Sequence, residues 1–205
     1  MARSPVPVFM IACLAAILAA CSTAPVRSPE RTAMTDALEQ ARRQFLMSLH
    51  DWALTGRIAV HNESENWNAT LRWTQQQDAY ALRLMGPLGQ GAVQLEGGGD
   101  GVMMRLADGQ TFTAQDAEAL LRERLGWNMP VAGLRYWVLG LADPRFEAGK
   151  ELDEAGRPLW LEQSGWRVEF SRYAPVNGVD LPHKLALNNP HLQVRLVIDR
   201  WELAP

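Results

Sequence analysis

From residue 54 to residue 201 the chain keeps returning to a period of two. Leu54, Gly56, Ile58 and Val60 alternate with their neighbours, and Trp67, Ala69, Leu71 and Trp73 do so against Asn68, Thr70, Arg72 and Thr74. Successive side chains of a strand point to opposite faces, so this pattern gives each segment one apolar face. Further segments follow at Tyr80 to Leu84, Val93 to Leu95, Val102 to Leu106, Leu159 to Gln163, Trp166 to Arg172, Leu181 to Leu187 and Leu192 to Trp201. Phe146 to Leu152 holds room for one more. Turn residues separate them: Gln75 to Asp78, Gly97 to Gly101, Asp108-Gly109, Ser164-Gly165, a wider turn at Val176-Asn177-Gly178, and Asn188-Asn189-Pro190. Short strands joined this way form an antiparallel meander. About ten to eleven strands exceed what a flat sheet tolerates, so the prediction is a mainly β fold, an unclosed half-barrel.

Period 3.6 appears in three places. Met34, Leu38, Ala41, Phe45, Leu49 and Trp52 mark one face of an N-terminal helix, with Asp36 and Glu39 spaced as a capping box. Thr113 with Asp116 opens a second helix with Ala117, Leu120, Leu121 and Leu125 on its stripe, ended by Gly126. Val131 to Leu139 reads as a third, between Pro130 and Gly140. A helical pair inserted midway through a curled sheet is placed to act as a lid over an enclosed apolar cavity. No internal repeat or second domain is visible, so residues 33–205 read as one domain.

The N-terminus is an address. Val8 to Ala20 is an apolar run of thirteen residues, too short for a span of about 20 and suited to a signal peptide. It ends Leu18-Ala19-Ala20-Cys21, which resembles a bacterial lipobox, where the Cys is acylated and becomes the new N-terminus. Residues 1–20 are then removed, and residues 21–32 form the acylated Cys21 and a Pro- and Ser-bearing tether, extended at least to Arg31. Ser22 sits where, by resemblance to lipoprotein sorting rules, an Asp would retain the protein in the inner membrane. Cys13 leaves with the signal peptide, so the mature chain has no thiol for a disulfide, metal or catalytic site.

Charge and motifs exclude several classes. The 20 Lys and Arg are outweighed by 23 Asp and Glu, for a net charge of −3, which argues against nucleic-acid binding. His50, His61, His183 and His191 are scattered, no Gly-x-Ser-x-Gly elbow or Walker loop occurs, and Glu151, Asp153 and Glu154 read as a solvated linker face. No catalytic residue, metal or cofactor is therefore expected. The positive signal is tryptophan: eight, against three Tyr and five Phe. Large rings are ordinarily core; the alternative is that several line a cavity for acyl chains.

Ordered fragments between Trp52 and Trp201 resemble the LolB family of outer-membrane lipoprotein receptors. They are Leu-Arg-Trp-Thr-Gln at 71–75, Gly-Pro-Leu-Gly at 86–89, Ala-Asp-Gly-Gln at 107–110, Asp116-Ala117-Glu118 with Leu120, the run from Leu134 to Leu141, Gly165-Trp166-Arg167-Val168, and Leu196 to Trp201. The resemblance implies an unclosed barrel with a helical lid. It also implies a lipid-anchored receptor on the periplasmic side of the outer membrane, a monomer that accepts lipoproteins from a LolA-like carrier. It makes Trp73, Trp137, Trp166 and Trp201 candidates for contact with acyl chains. It makes Leu88, between Pro87 and Gly89, the loop residue that enters the membrane. Two other classes remain open at this point, a carrier of lipids or small hydrophobic molecules and a lipid hydrolase.

Overall fold

A computed structural model describes residues 29–62, 66–87 and 91–204. The order is α1 (Pro29–Met47), β1 (Asp51–His61), β2 (Asn66–Gln76), β3 (Ala79–Met85), β4 (Val93–Gly98), β5 (Gly101–Leu106), β6 (Thr111–Ala114), α2 (Ala117–Leu125), α3 (Val131–Trp137), β7 (Gly149–Leu152), β8 (Pro158–Gln163), β9 (Trp166–Val176), β10 (Val179–Asn188) and β11 (Gln193–Leu203). All eleven strands belong to one antiparallel sheet, ordered β6-β5-β4-β3-β2-β1-β11-β10-β9-β8-β7. The two edges, β6 and β7, flank the helical insert in sequence, so the strand count and the open barrel follow the alternation pattern.

The sheet is assembled from two meanders, β1 to β6 and β7 to β11, joined where β1 pairs with β11. That seam bulges between Thr55 and Gly56. A β-carbon at Gly56 would collide with the Val197 carbonyl oxygen, so the close approach there requires glycine. Ser164-Gly165 is the two-residue hairpin link expected from the sequence, and the turn expected to be wider, at 176–178, is as tight. Ser164-Gly165 and Asn177-Gly178 both take two left-handed residues in succession, the turn that matches strand twist, so the latter is a two-residue link.

Four local expectations are corrected. Trp52 is a buried β1 residue, not the end of the N-terminal helix, because β pairing with Gln75 and Leu203 begins at Asp51. Asp36 and Glu39 lie two turns inside α1, which starts at Pro29, so they form no cap, and residues 29–31 are helical where the tether was expected to be extended. Thr113 belongs to β6, paired with Met103, and the cap of α2 is Asp116, whose side chain accepts from the Glu118 N–H at 2.9 Å. The apolar stripe of α1 faces outward. Thr35, Glu39, Arg42 and Leu46 face the body instead. Arg42 donates to the carbonyls of Leu139 (2.9 Å), Gly140 (3.0 Å) and Asp180 (3.2 Å), and Glu39 pairs with Lys150 at 2.6 Å.

Candidate functional site

One face of the sheet carries a continuous apolar wall. Ile58 of β1, Leu71 and Trp73 of β2, Leu82 and Leu84 of β3, Val93 and Leu95 of β4, Leu187 of β10, and Val194 and Leu196 of β11 all border one interior space. Six strands can meet one small space only if the sheet curves around it. Leu121 of α2, Trp127 and Met129 of the link, Val131 and Leu134 of α3, and Val138 close it from the other side. These helices are the lid that the sequence places between β6 and β7.

The lid turns over the wall at Gly126. Its φ of 69° is left-handed, and its N–H and that of Trp127 return to the carbonyls of Arg122 and Leu121, each at 3.1 Å. A glycine takes this conformation without steric cost, and the turn aims Trp127 inward. Trp127 meets Trp67 with ring centroids 5.2 Å apart. Beside this pair lies a surface pocket of about 520 Å³ bordered by Gly91, Ala92, Leu106, Asp108, Arg124 and Leu125. Val93 and Trp127 border both spaces, so this pocket adjoins the interior and is its candidate mouth.

The interior is nearly closed. Its free volume is about 50 Å³, roughly two waters' worth, where ligand pockets hold about 300–1,000 Å³. The enclosed apolar cavity expected from the sequence is thus a collapsed apolar seam in this conformation, and a long chain enters only if the lid moves. A larger depression of about 980 Å³ lies over Tyr80 and the 97–101 turn, with a mixed lining of polar groups such as Glu96 and Asp100 and apolar ones such as Val102 and Met103.

Of the four candidate rings, Trp73 alone borders the seam. Trp73 packs on Trp52 at 5.1 Å, and Trp52 on Trp201 at 5.5 Å, a three-ring cluster at the Asp51 end of β1. Trp201 donates its indole N–H to the Pro182 carbonyl at 2.9 Å. Trp137 meets Trp166 at a tilt, ring centroids 6.2 Å apart, and donates to Gln163 Oε1 at 2.9 Å. Both lie in the core away from the seam. Trp127 was missed; its only sequence signal was its place directly after a helix-ending glycine. Leu88 and Gly89 fall outside the described residues, as do Cys21 and Ser22. Pro87 is exposed, and the neighbouring Met85 is 42% exposed, so the described shoulder of that loop presents apolar atoms.

Shifted groups flank both ends of the lid segment. The Glu118 carboxyl is pushed above its usual range by burial and then by Asp116, against the lowering influence of the Ala132 backbone N–H. Beside them burial and the same two carboxylates raise the Tyr80 hydroxyl to about 12. Asp143 lies at the far end of the lid segment. Burial pushes its pKa upward, but the hydrogen bonds of Arg145, one of 2.6 Å, hold it below the carboxylate range. Among the described residues no three His, Cys, Asp or Glu side chains gather as a metal site, and no helix is long and apolar enough to cross a membrane.

The sequence model described as outer membrane lipoprotein LolB matches residues 50–201. The outer-membrane lipoprotein LolB of Nitrosococcus oceani is 43% identical over 188 residues, covering 91% of this chain and 92% of the relative. That of Stutzerimonas stutzeri is 39% identical over 191 residues, 93% and 92% of the two chains. In three dimensions a LolA superfamily protein from Nitrosomonas europaea superposes with a TM-score of 0.54 at 6% identity, covering 83% of this chain and 94% of that one, a likeness of fold.

Proposed function

Because this chain belongs to the outer-membrane lipoprotein LolB family, we propose that it takes acylated proteins from a LolA-like periplasmic carrier, shelters their acyl chains between sheet and lid, and releases them into the outer membrane. It is an outer-membrane lipoprotein with a receptor role in lipoprotein localisation, and not an enzyme. The observation that carries the finer reading is the seam itself: a wall from six strands and a roof from two helices, apolar throughout.

A sixteen-carbon chain left in water costs on the order of 12 kcal/mol, at ~0.8 kcal/mol per methylene. Between wall and roof it would exchange apolar contact for apolar contact, so opening the lid for it is inexpensive where opening for water is not. Handover then runs on affinity differences, receptor above carrier and membrane above receptor, with no nucleotide. Trp73 and Trp127 contact the chain; Trp137, Trp166 and Trp201 hold the frame around it. Mixing the protein with a lipoprotein-loaded carrier tests this: cargo should move to the receptor, with a change in Trp emission. Cargo that stays on the carrier defeats the reading.

Cys21 carries the lipid and Ser22 permits export to the outer membrane; the mass of the mature N-terminus decides the first. Leu88, between Pro87 and Gly89 in sequence, enters the bilayer during release. One such side chain gains ~1.5–3 kcal/mol in lipid, enough to orient the protein but not to anchor it. Leu88→Glu should keep folding and acceptance and impair release into vesicles; a variant that loses acceptance instead removes the assignment.

A further inference from the structure

α1 buries its polar side and exposes its apolar one. Thr35, Glu39, Arg42 and Leu46 occupy the side against the body, fixed by the Arg42 bonds to three carbonyls. A quarter turn away, Met34, Leu38, Ala41 and Phe45 follow at steps of four, three and four, with exposures of 63%, 42% and 45% for the three large side chains. The body touches this stripe only at its edge, where the Gly156 turn lies against Leu38. Asp36, Gln40 and Arg43 lie on the side opposite it.

What covers the stripe follows from the chain before it. Pro29 is eight residues beyond Cys21, a distance that spans at most about 28 Å when fully extended. The stripe from Met34 to Phe45 is only about 16 Å long at 1.5 Å per residue. With the acyl chains of Cys21 in a leaflet, the bilayer surface is always within reach of the whole stripe, at a high effective concentration. We propose that α1 is a lipid-surface contact, lying in the interface with Met34, Leu38 and Phe45 among the outer methylenes and Arg43 in water. This rests on the reading of Cys21 as the acylated residue.

The seating also sets an orientation. α1 hands over to β1 at Asp51, whereas the mouth, at Trp67 and Asp108, lies at the His61 end. The length of β1 separates the two ends, about 33 Å at ~3.3 Å per residue. With α1 on the bilayer the mouth, which Gly91 and Ala92 border, faces the periplasm, the side from which a loaded carrier arrives. This is the accepting orientation, and entry of Leu88 into the bilayer requires α1 to leave the surface and the tethered body to turn over.

The test uses the full acylated chain in vesicles of phosphatidylethanolamine and phosphatidylglycerol. An environment-sensitive dye is placed at Phe45→Cys or, in a second preparation, at Asp108→Cys, and the N-terminal mass is measured in each. The dye at 45 should shift to the blue and be quenched by brominated lipid, while the dye at 108 stays aqueous. In the unacylated Cys21→Ala chain, adding Leu38→Glu and Phe45→Glu should lower vesicle partition roughly tenfold or more. An acylated chain whose dye at 45 stays in water overturns the α1 contact alone, and a blue shift without vesicles at doubled hydrodynamic size assigns the stripe to a second copy instead. An N-terminus without acyl chains removes the anchor and this proposal together.

Discussion

Trp137 and Leu134 sit three residues apart on α3 and are held in opposite ways. Trp137 donates to Gln163, whose oxygen also accepts the Asp143 N–H at 2.8 Å and whose amide donates to the carbonyls of Asp143 (3.0 Å) and Phe146 (2.9 Å). Every hydrogen-bonding group of that buried amide is used, so this end of the lid segment has one arrangement. Leu134 faces the seam, where only apolar atoms meet it. The polar link from α3 back to the β2–β3 turn is Arg135 with Asp78, at 3.0 Å, and Asp78 is largely exposed. Apolar contact is non-directional, so one partner can replace another there without loss of geometry. The frame near Gln163 is specific; the seam is exchangeable.

Breaking the frame should have the largest effect. Gln163→Leu strands the Trp137 and Asp143 N–H groups and two carbonyls, at about 1–3 kcal/mol per unsatisfied buried group, less whatever water reaches. A loss of about 3–5 kcal/mol in urea unfolding is expected; a loss below 1 kcal/mol would mean that the frame is not specific. On the other side, Leu134→Ala should cost about 2 kcal/mol, the low end for a buried leucine, because a movable lid settles into the space. Cargo acceptance should survive it, and acyl-chain loading should alter amide exchange in α2 and α3 while leaving the strands around Gln163 unchanged. Equal changes in both regions would erase the distinction.

Gly126→Ala should cost about 1 kcal/mol through its left-handed backbone. Because it moves Trp127, acceptance should fall further than that stability loss explains. The smallest effect is on pH. Glu118 is raised in the folded state, so its contribution is complete below the unfolded carboxyl value and is lost as pH rises through the folded one. Mild acidification from neutrality should therefore raise the amide protection factors of α2 and α3, after correction for the intrinsic pH dependence of exchange, and Glu118→Gln should abolish that rise. Asp143 has the opposite sign: lowered in the fold, it stabilises above the unfolded value and fails as pH falls through the folded one. The frame should loosen only in strong acid.

The sequence alone determined the strands, the open antiparallel sheet and the two-helix insert, because periodicity is local: Trp67, Ala69, Leu71 and Trp73 share a face whatever that face later meets. The order of the LolB-like fragments was legible for the same reason, being linear text. What lies opposite a face is decided by chain distant in sequence. Trp137, Trp166 and Trp201 carry the same sequence signal as Trp73, yet only Trp73 borders the seam, since β1 pairing with β11 and the left-handed turn at Gly126 bring Trp127 there in their place. The stripe of α1 shows this most directly. Its spacing identified a helix, and by pattern alone the apolar side belongs inward. Three carbonyls at Leu139, Gly140 and Asp180, unknowable from residues 29–47, hold Arg42 and turn that side out.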